Sequence, residues 1–144
     1  MNLKPISFLL FAVFLLAACG PASSAQPAPV IGKQVAVAGG SYTDVSPAEL
    51  QTMLAQKDFV FVNVHIPFEG DLAQTDLSIA FDQIAQHLAQ LPAEKDAKIV
   101  LYCRSGSMSS KAAKTLIELG YTNIWNLAGG FNAWKAAGLP MAGE

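Results

Sequence analysis

The sequence predicts an α/β domain built on a mainly parallel sheet. Three observations carry that expectation: short apolar runs of strand length, helical stretches alternating with them, and glycine, proline or serine at the junctions. The 144 residues leave room for one globular domain with a real core. Residues 42–45 read as a short first strand. Ser46-Pro47-Ala48-Glu49 follows as a capping box, with the serine as N-cap, proline at the first helical position and glutamate at the third. The helix it opens turns Leu50, Met53 and Leu54 inward. Phe59-Val60-Phe61-Val62-Asn63-Val64 is a continuous apolar run, as expected of a strand covered on both faces. After a polar loop, residues 82–90 form a helix with Ile84, Leu88 and Leu91 on one face, stopped by Pro92. Residues 98–102 are a second buried strand, and residues 111–119 a helix closed by Gly120. Residues 123–127 make the next strand, Gly129-Gly130 a turn, and residues 131–137 a last helix ended by Gly138.

The composition, 52% hydrophobic and 14% charged, is more apolar than that of an ordinary soluble chain. The N-terminus explains much of the excess. Lys4 precedes an uncharged apolar run over residues 6–18, too short to cross a bilayer and followed at once by Gly/Pro/Ser text, the pattern of a secretory signal. Its end, Leu16-Ala17-Ala18-Cys19, resembles a bacterial lipoprotein box, in which the cysteine is lipidated and becomes the new first residue. The expected organisation is a signal peptide over residues 1–18, a lipid anchor at Cys19 with a flexible tether to residue 40, and a folded domain over residues 41–144. An edge strand at residues 30–37 is the alternative reading for the end of the tether. Several acyl chains on Cys19 would hold the domain at a membrane surface, in the cell envelope and on the extracytoplasmic side. Loss of residues 1–18 removes one lysine and no acid, taking the formal charge from −2 to −3, and no basic patch points to nucleic acid.

With Cys19 in the anchor, Cys103 is left as a lone thiol in a compartment that oxidises thiols. That count excludes an intramolecular disulfide framework and a cysteine-based zinc site, and leaves packing, reactivity or an intermolecular bond. Cys103 ends the strand IVLYC, and in parallel sheets ligands sit beyond the carboxyl ends of the strands. Arg104-Ser105-Gly106-Ser107-Met108 then leads into a helix. Successive N–H groups in such a turn form an anion-binding nest, the helix N-terminus adds positive potential, and both favour a thiolate. The other reading is a buried cysteine packing as a small hydrophobe. Against it stands a Gly/Ser turn that offers no apolar shell. Trp125, Phe131 and Trp134 read as core, Lys111 and Lys114 as a solvated helix face, and His87 as a surface residue.

The stretch from Lys98 to Pro140, KIVLYCRSGSMSSKAAKTLIELGYTNIWNLAGGFNAWKAAGLP, is similar to the carboxyl-terminal half of a single-domain member of the rhodanese-like (sulfurtransferase) family. Looser similarity extends back to YTDVSPAEL at Tyr42. The CRSG core, the helix ending in Leu119-Gly120-Tyr121, the strand begun by Asn123-Ile124 and the Gly-Gly-Phe-x-x-Trp turn occur together and in order. The resemblance implies a parallel five-stranded sheet sandwiched between helices, and transfer of sulfane sulfur through a persulfide on Cys103. Backbone N–H groups of Arg104, Ser105, Gly106, Ser107, Met108 and Ser109 would stabilise the terminal sulfur, as an oxyanion hole stabilises developing charge. The implied partners are a small sulfur donor and a thiol or other thiophilic acceptor, with no cofactor and no metal. Phosphatases on this fold carry an arginine six positions after the cysteine to clamp phosphate, whereas here that position is Ser109.

Two departures touch the substrate. Many members that use thiosulfate have a cationic or hydroxyl residue five positions after the cysteine; Met108 stands there, and an apolar group weakens the binding of a dianion. After the central strand the family shows an Asp-Val-Arg pattern, but this chain reads Asn63-Val64-His65, then Ile66-Pro67-Phe68-Glu69-Gly70-Asp71. Asn63 and His65 are therefore candidates to support the site. His65 either orients the cysteine loop, meets an anionic substrate, or is a satisfied loop histidine. Glu69, Asp71 and Asp76 offer oxygen ligands for a hard cation, although acidic loop residues are usually solvated. Beside the sulfurtransferase stand two alternatives: a non-catalytic sulfur-binding module, and a thiol sensor oxidised at Cys103.

Overall fold

The computed structural model describes residues 31–143, so the signal, the lipidation site and most of the tether lie outside the described residues. The first strand, β1 (Lys33–Val37), falls in the stretch expected as tether. It folds back antiparallel on β2 (Gly40–Val45), with Lys33 opposite Asp44 and Val37 opposite Gly40. This is the edge-strand alternative, and the reason is amphipathic: Val35 and Val37 pack against the buried cluster below while Lys33, Gln34 and Ala36 face solvent.

Helix α1 (Pro47–Ala55) starts as the sequence predicts. The Ser46 hydroxyl accepts from the Glu49 N–H at 3.3 Å, and the Glu49 carboxylate accepts from the Ser46 N–H at 2.7 Å. Next come β3 (Val60–Asn63) and a long loop that holds the two-residue β4 (Leu77–Ser78). Residues 84–90 are helical but form a 3-10 helix, Ile84–Gln90, where an α-helix was expected. No side chain caps it, Pro92 lies just beyond, and His87 leaves helical geometry at φ −110°, so i→i+3 bonds such as Leu91 N–H to Leu88 C=O close the turns. The inward residues are as predicted, with Ile84 and Leu91 buried and Leu88 partly so. The chain closes with β5 (Ile99–Tyr102), α2 (Ser107–Glu118), β6 (Ile124–Leu127) and α3 (Gly130–Ala136).

The sheet runs β1-β2-β6-β5-β3-β4, with every pair parallel except β1 and β2. The five parallel strands are the sheet that the resemblance implies, and β1 adds an antiparallel sixth at its edge, so the whole sheet is mixed. β5 lies between β6 and β3, and all four of its residues are fully buried. Its alternation divides the core. Ile99, Leu101 and Cys103 face a cluster with Ala112, Ala113, Leu116 and Ile117 of α2, whereas Val100 and Tyr102 face Leu50 and Leu54 of α1 and Phe131 and Trp134 of α3. A central strand packed on both faces moves little, so the residue at its carboxyl end is held firmly.

Candidate active site

Cys103 is that residue. Its backbone follows β5, its side chain ends the α2-facing row, and only 1% of it is exposed. The apolar surroundings correct the expectation of a thiol without an apolar shell: Cys103 is a member of the buried cluster. Its sulfur is nevertheless turned toward donors. The Gly106 N–H donates to Sγ at 3.1 Å and the Ser109 hydroxyl lies 3.5 Å away. Burial pushes the thiol up; the Ser109 hydroxyl and the N–H groups of Ser109, Ser105 and Gly106 pull it down harder, and the net direction is below the ordinary thiol value. The wrap forms because Gly106 sits at φ +90°, a left-handed conformation that turns the chain sharply into α2. That helix begins at Ser107, earlier than the predicted residue 111. Ser107, Ser109 and Ser110 lie before the predicted helix start, yet here the Ser110 hydroxyl bonds backward to the Ser107 carbonyl, and the Ser109 hydroxyl, with one proton to give, lies within reach of the Gly106 carbonyl at 3.2 Å as well as the Cys103 sulfur.

The other loop residues divide by role. Ser109 is fully buried beside the sulfur, while Met108 is half-buried against the cluster that contains Cys103. Arg104 and Ser105 are exposed, and the Arg104 guanidinium donates to Glu69 Oε1 at 3.1 Å. A support not read from the sequence comes from the Gly129-Gly130 turn. The N–H of Phe131 donates to the Cys103 carbonyl and that of Asn132 to the Arg104 carbonyl, each at 3.0 Å, so the start of α3 braces the loop from behind. Gly130, at φ +56°, allows this approach, because a Cβ there would collide with the carbonyl of Cys103. The Gly-Gly-Phe signature was visible as a turn; its contact with the cysteine loop is a tertiary fact.

Asn63 and His65 do different work from each other. Asn63 clamps the loop that follows β3: its amide donates to the Gly70 carbonyl at 3.0 Å and to Asp71 at 2.9 Å, and its oxygen accepts from the His65 N–H. Tyr102 joins the same network, its hydroxyl accepting from the Leu72 N–H at 3.0 Å and lying 2.7 Å from Thr75 Oγ1. Burial keeps that phenol well above its ordinary value, so it stays neutral. The His65 side chain is buried edge-on against Phe131, with centroids 5.5 Å apart; neither ring nitrogen makes a hydrogen bond, and Nε2 lies 3.4 Å from Glu69 Oε2. The three acids considered for a cation are each engaged by protein groups: Glu69 by Arg104, Asp71 by Asn63 and Ser78, and Asp76 by Lys57 and the Phe61 N–H. Trp134 and Phe131 are core as expected, and Trp125 is half-buried.

A cysteine sulfur wrapped by N–H donors at a helix N-terminus, beyond the end of a central parallel strand, is the first mark of a family. The second is comparison with known proteins: the family model for the rhodanese-like domain matches residues 46–137. The chain belongs to the rhodanese-like family. Among its relatives is a sulfurtransferase of Allochromatium vinosum, 34% identical over 93 residues, covering 63% of this chain and 85% of that protein. The thiosulfate sulfurtransferase GlpE of Coxiella burnetii is 26% identical over 97 residues, covering 66% and 89% of the two chains. In structure, the rhodanese-related protein of Thermoplasma volcanium matches with a TM-score of 0.61 at 28% identity, over 72% of this chain and all of that one. The rhodanese-like domain here therefore shares fold and family with proteins that transfer sulfur, and Cys103 stands at the end of its central strand.

Proposed function

We propose that this rhodanese-like protein is a sulfurtransferase that carries sulfane sulfur as a persulfide on Cys103. The observation that carries the reading is the donor set around Sγ, the Gly106 N–H at 3.1 Å and the Ser109 hydroxyl at 3.5 Å, which stabilises negative charge on sulfur where a helix begins. In the first half-reaction the Cys103 thiolate attacks the outer sulfur of a donor R–S–S–H. A new S–S bond forms at Cys103, the donor S–S bond breaks, and R–S⁻ leaves with the electron pair. In the second, an acceptor thiolate attacks the outer sulfur of the persulfide, and the Cys103 thiolate is the leaving group. A nest of N–H groups that stabilises the resting thiolate also stabilises the charge on the transferable sulfur in both steps.

The test is mass spectrometry of protein incubated with a persulfide donor, followed by cyanide. Wild type should gain one sulfur atom on Cys103 and release it as thiocyanate. A gain of one oxygen or a mixed disulfide, reversed by reductant and with no added sulfur, would instead favour the thiol-sensor reading, and equal inactivity of wild type and Cys103→Ala with every donor would sink the enzyme. We also infer a lipid anchor at Cys19, on the strength of the Leu-Ala-Ala-Cys box, holding the domain on the extracytoplasmic side of a bacterial membrane. A Cys19→Ser variant should leave the membrane fraction.

A further inference from the structure

We propose that Glu69 is a specificity-determining residue, a charge filter at the mouth of the cysteine loop that turns the protein away from dianionic donors such as thiosulfate and toward persulfides of small uncharged thiols. The inference rests on Cys103 being the residue that accepts sulfur. Arg104 is the one cation between residues 103 and 109, the group that would draw an anionic donor to the thiol. Its guanidinium is spoken for: Nη1 donates to Glu69 Oε1 at 3.1 Å. Both side chains reach solvent, Arg104 at 55% and Glu69 at 36% exposure, whereas the Cys103 thiol is almost wholly enclosed.

An exposed ion pair is ordinarily loose, but Glu69 is placed from within. Its other oxygen lies 3.4 Å from Nε2 of His65, whose ring has no hydrogen-bond partner and is pinned edge-on against Phe131. Phe131 in turn holds the Cys103 carbonyl through its N–H. On the following side, Asn63 fixes the Gly70 carbonyl and Asp71. The carboxylate is thereby held on the loop's guanidinium, so the pair brings no net positive charge to a donor, and the Cys103 thiolate that must react adds a negative one. The sum is negative. Thiosulfate carries two charges into that field; the persulfide of an uncharged thiol carries at most one. With thiosulfate the thiolate would attack the sulfane sulfur, the S–S bond would break, and sulfite would leave with the electron pair, so the dianion must reach the mouth to react.

Alkylation of Cys103 by iodoacetate and iodoacetamide reads the filter directly, because the two reagents differ in charge and little else. A changed thiol pKa alters both rates alike and cancels in their ratio. Glu69→Gln should raise the iodoacetate:iodoacetamide rate ratio about fivefold at low salt, and Arg104→Gln should lower it. Added salt should shrink the difference, and Glu118→Gln, at the far end of α2, should leave the ratio as in wild type. The same Glu69→Gln change should raise kcat/KM for thiosulfate over that for 2-mercaptoethanol persulfide by a similar factor. An unchanged ratio in both assays overturns the filter. The alkylation ratio requires no sulfur transfer, so this failure is distinct from a failure of Cys103 to take up sulfur.

Discussion

Removing the Ser109 hydroxyl isolates what that side chain contributes to the Cys103 thiol. Cys103 is buried among aliphatic neighbours, and burial alone would raise its pKa and silence it. Ser109 and the N–H groups of Ser109, Ser105 and Gly106 reverse the direction. Ser109→Ala deletes one donor and leaves the burial, so the thiol should titrate higher. Iodoacetamide alkylation of the variant at pH 7 should then be roughly fivefold slower than wild type, and the gap should close as pH rises past both pKa values. Coincident pH–rate profiles would show that the backbone donors suffice. Position 109 also marks the chemistry: with a serine there, the loop has a neutral donor to sulfur in the place of a phosphate-clamping arginine.

At the scale of elements, the cysteine loop is a strand end and a helix start held against the start of another helix. β5 delivers Cys103, α2 supplies the donors, and α3 closes the back through Phe131 and Asn132. The α3 contact depends on Gly130. Gly130→Ala adds a Cβ both at φ +56° and into the Cys103 and Arg104 carbonyls, and should lower stability by about 2–4 kcal/mol and slow alkylation of Cys103. Gly138 is a matched control, at φ +75° with open space where its Cβ would go; Gly138→Ala should cost about 1 kcal/mol and leave alkylation unchanged. Urea unfolding of the two variants separates backbone conformation from collision. Equal losses would mean that the close approach to the loop is not what Gly130 provides.

For the whole molecule, the β1–β2 hairpin decides where the chain enters. β1 runs antiparallel to the rest, so Lys33 lies opposite Asp44 at the carboxyl edge of the sheet, the edge that also carries Cys103. The entry is secured by Glu49, which accepts from the Ser46 N–H and hydroxyl and, across the hairpin, from the Gly32 N–H at 2.8 Å. The Ser46 and Gly32 backbone donors, with the Ser46 hydroxyl, hold its carboxyl below the usual range. Because the folded pKa lies below the unfolded one, this contribution is present above the ordinary glutamate value and fades as pH falls through the folded value. Thermal melts should therefore show wild type more stable than Glu49→Gln at pH 7, with the two converging below about pH 4. A gap independent of pH would assign the loss to packing.

The strand and helix order, the Ser46 capping box, the two-faced burial of β5 and the place of Cys103 were all legible in the chain, because each follows from local periodicity or from a turn signature a few residues long. The two-residue β4 was not, since a strand that short in a polar loop exists only by pairing with β3. β1 was legible only as the alternative to a tether, because its half-apolar text becomes a strand only once β2 lies beside it. The same division runs through the site. The sequence by itself determined that Cys103 stands at a strand-to-helix turn and that no arginine follows it six residues later. Only the tertiary structure decided that Phe131, admitted by Gly130, braces its carbonyl and that Glu69, 35 residues from Arg104, neutralises the loop's one cation, because both are contacts between segments that the linear pattern leaves unconnected.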